Sequence, residues 1–96
     1  MSNENKNTIS IFVQLEAPDF DTWYHEHDIH ADHRKNYGII DGPVYRDISN
    51  PNSALVHLMT DDLPKAKEWF GTDLFKAGTK RAKVSSRKIY MAENRK

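Results

Sequence analysis

One nine-residue stretch holds most of the side chains in this chain that could do chemistry. It reads His25-Glu26-His27-Asp28-Ile29-His30-Ala31-Asp32-His33. Imidazoles three apart on a helix, His27 with His30 and His30 with His33, lie close enough to chelate a metal ion. The zinc-peptidase pattern His-Glu-x-x-His would need a histidine at position 29, and Ile29 stands there. Cysteine is absent, and His57 is the one histidine elsewhere. No metal is therefore expected, and exposed helix histidines are ordinarily solvated.

Helical phase sharpens the picture. At about 100° per residue, Phe20, Trp23, His27, His30, Arg34 and Tyr37 share a third of the helix circumference. His25, Asp28, Ile29, Asp32, Lys35 and Asn36 lie opposite. The inward stripe thus contains two imidazoles and a guanidinium, and an arginine buried without a partner is costly. One reading lets Arg34 snorkel to the edge or pair with an acid. The other makes the stripe one wall of a pocket. There His30 and Arg34 are the candidate catalytic pair, His30 as acid, base or donor and Arg34 as an anion or enolate stabiliser. Trp23, His27, Tyr37 and His57 are then candidate ligand contacts. His57, mid-strand in Leu55-Val56-His57-Leu58-Met59, also reads as a hydrogen-bonded core histidine.

The elements that must position these groups follow from pattern. Ile9, Ile11, Val13 and Leu15 alternate with other residues over a strand from Thr8 to Leu15, and Phe12 makes its second face partly apolar. Pro18-Asp19-Phe20-Asp21 opens a helix that runs to Tyr37 and stops at Gly38. A second strand is expected over Ile39–Ile48, with a bulge at Gly42-Pro43. After the turn Asn50-Pro51-Asn52 a third strand spans Ala54–Thr60. Asp61-Asp62-Leu63-Pro64 opens another helix with a stripe of Leu63, Ala66, Phe70, Leu74 and Ala77. Gly71-Thr72-Asp73 is a break point within it, with Thr72 as a new cap. Trp69 and Phe75 fall off the stripe and read as dimer-contact or pocket aromatics. Lys83 to Ala92 is the last strand. The order is βαββαβ, a ferredoxin-like α+β domain with a four-stranded antiparallel sheet and helices on one face. Residues 1–7 are expected as a disordered tail, 8–93 as the single domain and 94–96 as a short C-terminal tail.

Composition narrows the function classes. Of the 96 residues, 38% are hydrophobic. The mean hydropathy is −0.80. That is a lean core for a self-sufficient monomer. Fourteen basic and fourteen acidic residues cancel, so nucleic acid and anionic membranes are not general partners. The third strand lacks the aromatics that an RNA-binding βαββαβ sheet displays. The longest run of consecutive strongly apolar residues, Ile11-Phe12-Val13, cannot span a bilayer, and the cytoplasm is the expected compartment. The four glycines, at positions 38, 42, 71 and 78, form no phosphate loop.

The run Asp19-Phe20-Asp21-x-Trp23, followed by His30, Arg34 and Gly38, resembles the first helix of small proteins of the dimeric α/β-barrel superfamily, the cyclase-like and antibiotic-biosynthesis-monooxygenase-like proteins. Tyr45-Arg46-Asp47, Asn50-Pro51-Asn52 and Asp62-Leu63 with Ala66 extend the resemblance over residues 9 to 92. It implies a homodimer whose two sheets close a barrel, with a small-ligand cleft between helices and sheet. Monooxygenase members oxidise aromatic polyketides without metal or flavin. Haem-degrading members use an Asn, Trp and His trio that has no match here, so no cofactor is expected. The expected function is a small-molecule-binding dimer, of monooxygenase or cyclase type, taking a hydrophobic, aromatic or enolic ligand. Its rivals are a non-catalytic ligand-binding or stress-related homodimer, and a structural homodimer with no pocket.

Overall fold

Alternation of apolar residues sets the central strands. In a computed structural model describing residues 9–93, β1 (Ile9–Glu16) buries Ile11, Val13 and Leu15, and β3 (Ser53–Thr60) buries Ala54, Val56 and Leu58. These two strands pair in the middle of a four-stranded antiparallel sheet. β2 (Ile39–Arg46) and β4 (Ser86–Glu93) flank them, in the order β2-β3-β1-β4. This is the expected ferredoxin-like α+β arrangement. The expected 1–7 and 94–96 tails, and Thr8 as a strand start, lie outside the described residues.

The first helical segment is α1 (Phe20–Ile29) followed by α2 (Ala31–Asn36). Asp19 caps it, its carboxylate accepting from the Asp21 amide at 3.2 Å, which satisfies one of the free first-turn donors. The single helix expected to Tyr37 is interrupted at His30 (φ −100°, ψ 12°). No proline or glycine lies nearby to force this, and nothing else in the structure explains it. The phase survives the interruption: Trp23, His30 and Arg34 are buried, while the six residues expected outside are exposed. Gly38, at φ +73°, ends α2 as expected.

The second segment is α3 (Leu63–Trp69), capped by Asp62, and α4 (Asp73–Arg81), capped by Thr72. Thr72 Oγ1 accepts from the Phe75 amide at 3.2 Å, as expected of the break there. The non-helical residues between the two helices reset the phase, which corrects the expected stripe. Leu74 and Ala77 are exposed, and Trp69 and Gly78 are buried in their place. β4 also starts later than expected. Lys83 instead ends α4 in the left-handed region at φ +57°. Its amide donates to the Lys80 carbonyl and that of Val84 to Thr79, a Schellman-like closure. Lys83→Gly relieves that strain and is expected to raise stability by about 0.5–1 kcal/mol, a rise of a few degrees in Tm on thermal unfolding.

β2 carries the expected bulge: its register with β3 shifts between Asp41 and Val44. Among the described residues, helices cover one face of the sheet only. The other presents Phe12, Ile40, Tyr45, Leu55, His57, Met59 and Tyr90, with Ile40, Tyr45, Leu55 and Tyr90 exposed.

Candidate functional site

The inward stripe of α1 and α2 forms one wall of a cavity of about 70 Å³ between helices and sheet. Val13, Leu15, Val56 and Leu58 make its floor. Trp23, His27, His30 and Arg34 come from the first segment, and Trp69, Phe75 and Gly78 from the second. Four of the six expected site residues therefore meet. Tyr37 packs on Trp69 at 5.8 Å but does not line the cavity. His57 lies on the opposite sheet face, stacked on Phe12 at 4.5 Å, because its neighbours Val56 and Leu58 point to the helices. Its expected place in the same pocket is thus corrected.

Arg34 is only 4% exposed, and an acid meets it. Its Nε donates to Asp41 Oδ1 at 2.7 Å and its Nη2 to Oδ2 at 2.8 Å. This is a two-point clamp from α2 to β2, the strong geometry for a guanidinium and a carboxylate. The guanidinium is already neutralised, which leaves it little capacity to stabilise a substrate anion. Nη2 also lies 3.4 Å from His27 Nε2. A guanidinium can only donate, so that nitrogen accepts and the His27 proton sits on Nδ1. Burial, with the Arg34 charge beside it, lowers the His27 pKa from 6.5 to about 4, since both disfavour a second cation. The folded protein therefore binds this proton less readily than the unfolded chain. The resulting stability is fully present above pH 6.5 and drains away as pH falls to about 4, as linkage requires. Urea unfolding midpoints should decline across that window, and His27→Leu should flatten the decline.

His30 is the centre of the site. It is 8% exposed, and its Nε2 is buried with no hydrogen-bond partner among the described residues. Its Nδ1 lies 3.4 Å from Nδ1 of His33, so one ring donates to the other. Burial, then the neighbouring His33, lowers its pKa, with Glu26 opposing, so the ring is neutral at neutral pH. Glu26 Oε1 stands 3.7 Å from the free Nε2. Arg81 of α4 holds the Glu26 carboxylate through bonds of 2.8 and 3.0 Å, and the Arg81 hydrogen bond keeps its pKa low. The helices approach this closely because position 78 is glycine. A Cβ there would sit 3.3 Å from Glu26 Oε1 and 3.4 Å from His30 Nε2.

Arg87, from β4, closes the cavity's far side. Its guanidinium lies 4.7 Å above the Phe75 ring, and Nη1 donates to Thr79 Oγ1 at 2.9 Å. The ring face attracts the cation electrostatically. No carboxylate pairs with it among the described residues. Gly78, Arg81 and Arg87 were not among the expected site residues, and Glu26 and His33 entered the sequence reading only within the histidine-rich run. Glu26 was legible as the i−4 neighbour of His30. Arg87 was not, since its place depends on strand register against Leu15. Among the described residues no three His, Cys, Asp or Glu side chains gather as a metal would require. No helix there is long and apolar enough to cross a membrane.

No family model matches the chain, and no curated protein matches its sequence. Solved structures do. SnoaB, a cofactor-independent oxygenase from Streptomyces nogalater, superposes with a TM-score of 0.76 at 10% identity, over 92% of this chain and 93% of that one. The chain has the fold of the antibiotic-biosynthesis-monooxygenase-like proteins. A candidate monooxygenase of that kind from Caulobacter crescentus CB15 gives 0.73 at 16% identity, over 96% and 93%. Another from Nitrosomonas europaea gives 0.72 at 8%, over 94% and 92%. Identities this low carry the shared fold and no activity.

Proposed function

We propose that this chain is a small-molecule-binding homodimer of oxygenase or cyclase type, acting without a cofactor on an enolic or phenolic ligand at the helix–sheet cavity. The carrying observation is the buried His30, which lines the mainly apolar cavity and whose Nε2 lacks a hydrogen-bond partner, with Glu26 Oε1 3.7 Å away. Burying such a group unpaired costs stability, a burden that a ligand contact explains. With the His30 proton on Nδ1 and donated to His33, Nε2 takes the ligand's O–H proton, and the bonding pair stays on oxygen. The Glu26 carboxylate favours the imidazolium so formed. Arg87, lacking an acid of its own, receives the oxyanion. Arg34 serves as scaffold rather than as anion stabiliser.

Size imposes a condition. A cavity of about 150 Å³ is what benzene occupies, so an aromatic ring enters only when lining side chains move apart. The uncovered, apolar sheet face supports the homodimer, because a second sheet would remove it from water. Arg34's full pairing and the small cavity favour the second reading, a binder with no turnover.

The test is tryptophan-fluorescence titration with a hydroxyanthrone, together with oxygen uptake and sedimentation. The expected mass is twice 11.2 kDa at micromolar concentration. Arg87→Met should weaken binding about tenfold or more, the scale of one charge-assisted hydrogen bond. His30→Leu should abolish oxygen uptake while binding persists. Binding without uptake in the unmodified protein selects the second reading. A monomer with no binding overturns both.

A further inference from the structure

We propose that His57 makes the association of two copies proton-sensitive, holding them together when neutral and releasing them when charged. The proposal rests on the homodimer reading above. His57 and Phe12 are register partners on the two central strands, near the midpoint of each, so they stand in the middle of the uncovered face. The imidazole lies flat on the Phe12 ring, 10° from parallel, and its Nε2 is 3.0 Å from Ser10 Oγ. Among the described residues this ring is the one histidine on that side of the sheet.

The groups facing it come from all four strands. β3 contributes Leu55 and Met59, and β1 contributes Ser10, Phe12 and Gln14. β2 offers the Gly42-Pro43 bulge, Ile40 and Tyr45, and β4 offers Tyr90 beside Phe12 and Lys88 beside Gln14. Glu16 and Lys88 are the charged groups of this face among the described residues. Glu16 is four residues along the strand from Phe12, about 13 Å away. No carboxylate of the described strands is within reach of the imidazole.

That composition selects the occupant. A strongly acidic or basic partner finds no complementary charge here. A second copy meets apolar surface with apolar surface and needs only the two-fold symmetry of an isologous contact. The ring that stands mid-face in one copy then loses water against the other. Protonating it there places a cation from each copy in an apolar layer with nothing to pair with. In the separated chains the same ring is partly open to water. Protons therefore bind the separated chains better, and acid drives the pair apart.

Sedimentation equilibrium near pH 7.5 and near pH 5.5, with circular dichroism at both, tests this in the full chain and in His57→Gln. Glutamine keeps a polar contact to Ser10 and carries no charge. The dissociation constant of the unmodified chain should rise about tenfold or more in acid, and that of His57→Gln should stay nearly level. A second variant, His57→Phe, should also be acid-insensitive. A dimer equally tight at both pH values overturns the proposal and spares the homodimer. So does acid dissociation that persists in His57→Gln, or that coincides with loss of secondary structure. A monomer at both pH values overturns the homodimer itself.

Discussion

Asp41→Ala is expected to lower the unfolding free energy by about 2–3 kcal/mol, below the cost typical of breaking fully buried pairs because water reaches part of Asp41. Arg34 is 4% exposed, while the Asp41 side chain is 35% exposed. Removing the acid strands a buried cation; removing the arginine leaves an acid that water can still solvate. Arg34→Met should therefore cost clearly less than Asp41→Ala. Arg34→Met combined with Asp41→Leu should recover much of the loss, since apolar residues of similar volume often replace buried ion pairs without penalty. Urea unfolding of the three variants at neutral pH decides it. Equal costs for the two single variants would refute the asymmetry. If neither variant alters ligand binding, Arg34 is scaffold alone.

The second large effect belongs to the bulge of β2. A Cβ at position 42 would lie 2.7 Å from the His57 carbonyl oxygen and 3.2 Å from Met59 Cε. The methionine tip can move; the carbonyl cannot without opening the β2–β3 ladder. Gly42→Ala is thus expected to cost about 2–3 kcal/mol, the upper range for overpacking, and to lower Tm by roughly 10 °C or more. It also displaces Ile40 and Tyr45 on the uncovered face. Sedimentation should show weaker self-association alongside the thermal shift. Unchanged stability would mean that the bulge yields more easily than its geometry indicates.

Much of this architecture was legible from local signals. Asp19, Gly38, Gly42 and Thr72 each carry a stereochemical meaning that survives without tertiary context, and each stands where that meaning put it. The wall of the cavity formed by α1 and α2 was legible for the same reason, because helical phase depends only on spacing. The opposite wall was not. A stripe through Leu74 and Ala77 assumes an unbroken phase across Gly71; the residues between α3 and α4 turn Gly78 inside instead, and Trp69, three residues on from Ala66, is already inward within α3. His57 shows another limit. Its alternation with Val56 and Leu58 was visible, but which face the helices cover depends on where the crossovers pack. Asp41 and Arg87 reach the site through strand pairing, which a linear pattern does not report.

The first and last strands of the described fold are neighbours. Ile9–Glu16 pairs along its whole length with Ser86–Glu93, and Val13 faces Ile89. During synthesis β1 leaves the ribosome well before β4, and one of its edges has no partner until β4 follows. Closing that pairing spans most of the domain, an entropic demand that slows assembly. Until then the nascent chain exposes a strand rich in Ile, Phe and Val with free amides and carbonyls, the kind of edge that recruits other chains. Truncations that remove β4 would therefore be expected to aggregate rather than to yield a smaller working domain.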